Sequence, residues 1–263
     1  MSTQYANQTR PAFIDIVLSS IRKLKISMFL HVIGAVLMII TTTAFLTTLP
    51  FYTPGMPEII PGLSWFIIVL LFTAITSFIY FIPSLNQLTM WKPAEFAESS
   101  RFVKIGYLAG SILLLVAVLV VTIISAINTP EIIKDPSLRR VLSEGLIWPI
   151  TLGVVASVIF YTGWFGVFAL LHKLGDLFNT PVLCKLGIPV LIYGLVFVLI
   201  KTSLITTHYA YLSQREIALL HYALIPLLVL PLPIAILGAV TWTLIYAEIA
   251  SLEKKITSGA IQI

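Results

Sequence analysis

At 263 residues, with 59% hydrophobic and 10% charged side chains and a mean hydropathy of +1.03, the chain carries more apolar surface than a water-soluble core can hide. That excludes a soluble globular enzyme and predicts an all-α polytopic membrane protein. The net charge of +5 and pI of 9.3 do not read as a nucleic-acid signature, because the basic residues sit at the ends of apolar stretches rather than on one face.

Residues 1–25 read as a polar N-terminus followed by an interfacial amphipathic helix, with Phe13, Ile14, Val17, Leu18, Ile21 and Leu24 at helical spacing and Asp15, Ser19, Arg22 and Lys23 mostly between them. The apolar run after Lys25 is too long for a cleavable signal peptide. A first span is expected from about Ile26 to Leu49, then a loop with Pro50, Pro54 and Pro57 and no Lys or Arg. The second span, about Ile60 to Phe81, ends at Pro83 and leads into an elbow from Trp91 to Gly106. The third runs from about Lys104 to Asn128, and its Gly106 and Gly110 form a small-residue step that favours close helix approach within the chain.

Thr129 before Pro130 and Asp135 before Pro136 are helix-start signals, so a short surface helix is expected there, with Leu138, Val141 and Leu142 opposite Arg139 and Arg140. The fourth span, about Leu146 to Leu171, holds Phe160, Tyr161, Trp164, Phe165 and Phe168, which read as packing and interface anchors. A second elbow, His172 to Gly187, precedes the fifth span, about Leu186 to Thr207, within which Lys201 snorkels to the outer interface. The sixth, about Ile217 to Ala250, contains Pro226, Pro231 and Pro233, a possible hinge at which the helix kinks or unwinds. The membrane domain is therefore 26–250, with a cytoplasmic tail over 251–263.

Lys and Arg cluster on the N-terminal segment, both elbows and the tail, which puts both termini and both elbows on the cytoplasmic side of the cell membrane. The elbows also align without a gap at an offset of 81, matching Lys92 with Lys173, Glu95 with Asp176, Lys104 with Lys185 and Gly106 with Gly187. Repeated hairpins follow, over about 61–128 and 146–207, with Glu248 and Lys25 as corners of a third, open copy. Within each elbow the acid and lysine, Glu95 with Lys104 and Asp176 with Lys185, are expected to pair and set hairpin register.

Candidate chemistry is sparse. The spans hold no acid near mid-depth for ion coupling, and no nucleophile, metalloprotease or phosphate-loop motif occurs. Cys184 is the only cysteine, which excludes an intrachain disulfide and reads as a small buried hydrophobe, so no metal site is expected. His208 and His221 flank one loop near the outer face and are the candidates for haem ligands. No cofactor is assigned, and the default for the histidines is hydrogen-bonded or solvated.

The segment Gly153 to Leu199, through Lys173, Leu174, Gly175, Asp176, Lys185, Leu186 and Gly187, resembles archaeal families of small multi-pass membrane proteins of unknown function. His172 stands where those families carry an aromatic or leucine. The resemblance implies a cytoplasmic-membrane location and no assigned activity, and it transfers no catalytic residue. The function expected is a non-catalytic accessory or assembly subunit, with lipid and other membrane subunits or a second copy as partners. A small-solute permease or channel using the sixth span is the alternative, and a haem-carrying respiratory subunit a third.

Overall fold

The computed structural model describes residues 3–48, 72, 75–117, 119–120, 123–124, 138–213 and 231–261. All of these are helical except Lys92, residues 178–180 and residues 258–261, so the all-α expectation holds for them. The helices are α1 (Thr3–Thr48), α2 (Ile82–Trp91), α3 (Pro93–Val103), α4 (Leu138–Leu177), α5 (Pro181–Ser213) and α6 (Pro231–Thr257). π-helical stretches at Ser77–Phe81 and Lys104–Gly110 lead into α2 and follow α3.

Among the described residues five helices are long and apolar enough to cross a membrane, over Phe13–Ile40, Pro93–Ala117, Ile147–Leu177, Pro181–Ile200 and Leu232–Thr257. Most of the expected second span lies outside the described residues, as do residues 125–137. The outward faces carry Ile112, Ile123, Ile188, Ile192, Leu195, Ile236, Val240 and Leu244, an apolar coat that suits hydrocarbon rather than water. This is a membrane protein.

The helices close a ring in sequence order. Each of α1 to α5 packs on the next, and α6 returns to α1. Where α1 meets α2, Ser20 Oγ donates to the Ser84 carbonyl at 2.8 Å and Ser84 Oγ to the Ser20 carbonyl at 3.0 Å, both side chains fully buried. Small hydroxyls let the two backbones approach and satisfy each other without water.

The lead-in differs from the expected interfacial helix. α1 is continuous over 46 residues, about 69 Å at 1.5 Å per residue, and Val17, Ile21, Leu24 and Met28 are fully buried in the bundle. From Val17 onward its apolar stripe therefore covers protein, while Phe13 and Ile14 at its start stay exposed; covering protein and lying on lipid demand the same periodicity.

The elbows have different construction. At the first, the chain breaks only at Lys92, held out of helical geometry (φ −134°, ψ 83°) by Pro93, which then opens α3 at a position needing no N–H donor. At the second, Asn179 adopts φ 50°, Thr180 N–H donates to the Gly175 carbonyl at 2.8 Å and Asn179 N–H to the Asp176 carbonyl at 3.4 Å. That is a Schellman cap with asparagine in the left-handed position, and Pro181 starts the return helix.

Candidate functional site

Inside the ring, every segment contributes an aromatic or imidazole side chain to one layer: His31 from α1, Phe81 before α2, Tyr107 after α3, Phe160 and Trp164 from α4, Tyr193 from α5 and Trp242 from α6. By helical rise His31, Tyr193, Trp164 and Trp242 lie about 9–17 Å, and Phe160 about 20 Å, from the charged residues Lys25, Lys185, Lys173 and Glu253, a depth around the middle of a hydrocarbon core about 30 Å thick. Contacts run across the ring as well as around it. The His31 ring centroid lies 4.6 Å from Trp242 and 6.3 Å from Tyr107, and Trp164 lies 5.7 Å from Trp242 and 5.1 Å from Tyr193.

Glycines are the sockets of this layer. A Cβ on Gly194 would strike the Trp164 indole, one on Gly238 the Tyr193 ring, and one on Gly163 would lie 2.5 Å from the Tyr107 ring. The π stretch after α3 shifts Tyr107 around the helix axis relative to α3, so that the side chain reaches Gly163.

Against this layer lies a half-open cavity of about 30 Å³, lined by His31, Gly34, Met38, Phe72, Thr76, Trp164, Tyr193, Phe197 and Trp242 among others. That is room for one or two water-sized molecules. Among the described residues none that lines it is acidic or basic apart from the imidazole. His31 Nδ1 lies 2.7 Å from the Ser27 carbonyl, and since a carbonyl only accepts, Nδ1 carries the proton and Nε2 of the neutral ring is an acceptor. His31 Nε2, Trp164 Nε1 and, behind them, Tyr107 Oη have no hydrogen-bond partner among the described residues. His31 and Trp164, which carry an acceptor and an indole donor, thus both line one recess, and both of these atoms are covered by protein.

The elbows meet at the other end of the bundle. Trp91 stacks on Phe178 at 6.0 Å and 16°, and Lys173 Nζ lies 3.0 Å from Glu95 Oε2. The expected pairs within each elbow do not form: Glu95 is bound by Lys173 of the other elbow, and Asp176 faces His172 at 3.5 Å. Lys104 and Lys185 are exposed. The physical reason is that Glu95 and Lys104 lie nine residues apart on continuous helix, about half a turn out of phase at 3.6 residues per turn. The open corner uses Glu253 rather than Glu248, with Arg22 Nε at 3.0 Å and Lys25 Nζ at 2.5 Å. Because Glu95 and Lys173 are each nearly half exposed and screened by solvent, Glu95→Lys is expected to lower the thermal midpoint only slightly. Adding Lys173→Glu should restore it, and a loss in the double reversal as large as in the single one would count against a pair.

Of the remaining expected residues, Pro231 opens α6 and Pro233 lies in its first turn, positions that leave the helix unbroken. Pro226 and His221 lie outside the described residues, as does the side chain of His208. Cys184 is half-exposed on the first turn of α5 rather than buried. Phe160 and Trp164 are core residues, whereas Phe165 faces outward. His31 lies about 9 Å inside Lys25 by helical rise, too deep to share a haem with His172 at the boundary, and the sequence carries no sign of its place in the aromatic layer. Comparison with protein-family models, curated proteins and solved structures finds no match.

Proposed function

We propose that this chain is a non-catalytic membrane component, an accessory or assembly subunit, built from six spans in three hairpins with both termini on the cytoplasmic side of the cell membrane. The observation that supports it is the central aromatic layer. Rings from every segment meet inside the helix ring, so side chains fill the place where a conduit or catalytic cleft would run. The resemblance of the second elbow to archaeal multi-pass families agrees with such a role. Purification at native expression tests it: a stoichiometric partner subunit is the expected result, and a solitary protein that passes solutes in liposomes would overturn it. A Soret band would instead mark haem, with His208 and His221 as ligands.

One observation favours a second reading, binding of a small neutral solute: His31 and Trp164 line the same recess, and their Nε2 and Nε1 have no hydrogen-bond partner among the described residues. His31→Phe separates the two. If the layer only packs, His31→Phe removes a covered acceptor and the Nδ1–H bond to the Ser27 carbonyl together, a nearly neutral exchange that should move the thermal midpoint in detergent by the equivalent of no more than about 1 kcal/mol. A lower midpoint together with loss of a co-purifying small molecule would favour the solute site.

A further inference from the structure

The second elbow brings three different donor side chains together. His172 and Asp176 stand one turn apart on the last turns of α4, with Nε2 3.5 Å from Oδ2. Cys184, from the first turn of α5, places Sγ 3.6 Å from Asp176 Oδ1, and the three ligand atoms all lie within 4.8 Å of one another. Two backbone features bring the thiol there. The Schellman cap at Asn179 reverses the chain in three residues, and Gly175 leaves the space that Sγ occupies, since a Cβ on it would collide with that sulfur.

We propose that His172, Asp176 and Cys184 bind one zinc-class divalent ion, joining α4 to α5 across the elbow and leaving a fourth position open. A tetrahedral ion with bonds of about 2.0 Å to nitrogen or oxygen and about 2.3 Å to sulfur spaces its donors about 3.3–3.5 Å apart. The imidazole and the thiol stand at about that distance from different oxygens of Asp176, Nε2 3.5 Å from Oδ2 and Sγ 3.6 Å from Oδ1, and rotation of the exposed carboxylate and imidazole brings one oxygen, Nε2 and Sγ around a single ion. One sulfur, one imidazole and one carboxylate select a borderline transition ion over magnesium or calcium, which take oxygen. Binding releases the thiol proton to solvent as Sγ coordinates. The neighbouring ammonium of Lys173 is turned away onto Glu95, so it does not occupy the acidic ligand.

The test uses full-length protein purified in detergent through a histidine-free affinity tag, stripped with chelator and titrated with cobalt(II) alone, then zinc(II). One cobalt per chain should bind with a thiolate-to-metal charge-transfer band in the near ultraviolet and the intense visible bands of four-coordinate cobalt, and zinc should displace it. Cys184→Ser should remove the near-ultraviolet band and His172→Gln should keep it, each weakening binding at least about tenfold. Both positions are at the elbow surface, and if Cys184→Ser does not fold, the His172→Gln titration decides. The absence of a thiolate band in the unsubstituted protein, or unchanged binding in His172→Gln, overturns the proposal.

Discussion

Gly163→Leu is expected to leave little folded protein, whereas Gly145→Leu is tolerated. Between α3 and α4 the backbones themselves are in contact. A Cβ on Gly106 would strike the Gly163 backbone, one on Gly110 would lie 2.7 Å from Phe160 Cα, and one on Gly166 would lie 2.6 Å from Val103 N. These obstacles are main-chain atoms, which cannot turn aside as a flexible side chain can. A leucine at Gly163 must also displace Tyr107, so overpacking should cost at least about 3 kcal/mol. Gly145, on the same helix, has nothing within 4 Å of its Cβ position, and the glycine-to-leucine change there adds helix propensity without a clash. The folded fraction of the two variants in detergent, read by size-exclusion profile and thermal midpoint, checks the contrast. Equal losses would mean that the crossing is not where the structure places it.

The same crossing shows which features can be read from the sequence. Gly106 and Gly110 signal a close approach by their spacing, because small residues four apart lie on one helix face. Their counterparts Gly163 and Gly166 are three apart within an aromatic run, and nothing local says that they face the same neighbour. The apolar spans are legible because lipid imposes composition on each helix separately. Ion pairs are not, because they depend on which helix lies beside which. Glu95 reaches Lys173, and Glu253 reaches Arg22 and Lys25, across separations that no periodicity encodes. The amphipathic lead-in has the period of a surface helix whether it covers lipid or protein, and in α1 it covers protein. Cys184 carries no local sign of its position, since its approach to Asp176 depends on the cap at Asn179 and the gap at Gly175.

Trp164→Ala is expected to cost about 3–5 kcal/mol, the range for removing a large buried aromatic side chain. The indole is 2% exposed, touches Tyr107, Phe160, Tyr193 and Trp242, and rests on Gly194. Its Nε1 has no partner among the described residues, so the loss is one of packing and apolar burial rather than of a hydrogen bond. Trp148→Ala is the matching control: at 80% exposed on the same helix, that side chain should change stability in detergent by no more than about 0.5 kcal/mol. The hole left by Trp164 would join the existing cavity of about 30 Å³, and a mostly apolar space of that kind binds small aromatic molecules. Added indole should therefore recover part of the lost thermal midpoint in Trp164→Ala and none in Trp148→Ala. If indole stabilises both variants equally, it is acting on the detergent or the outer surface, and the layer does not enclose the space left by the tryptophan.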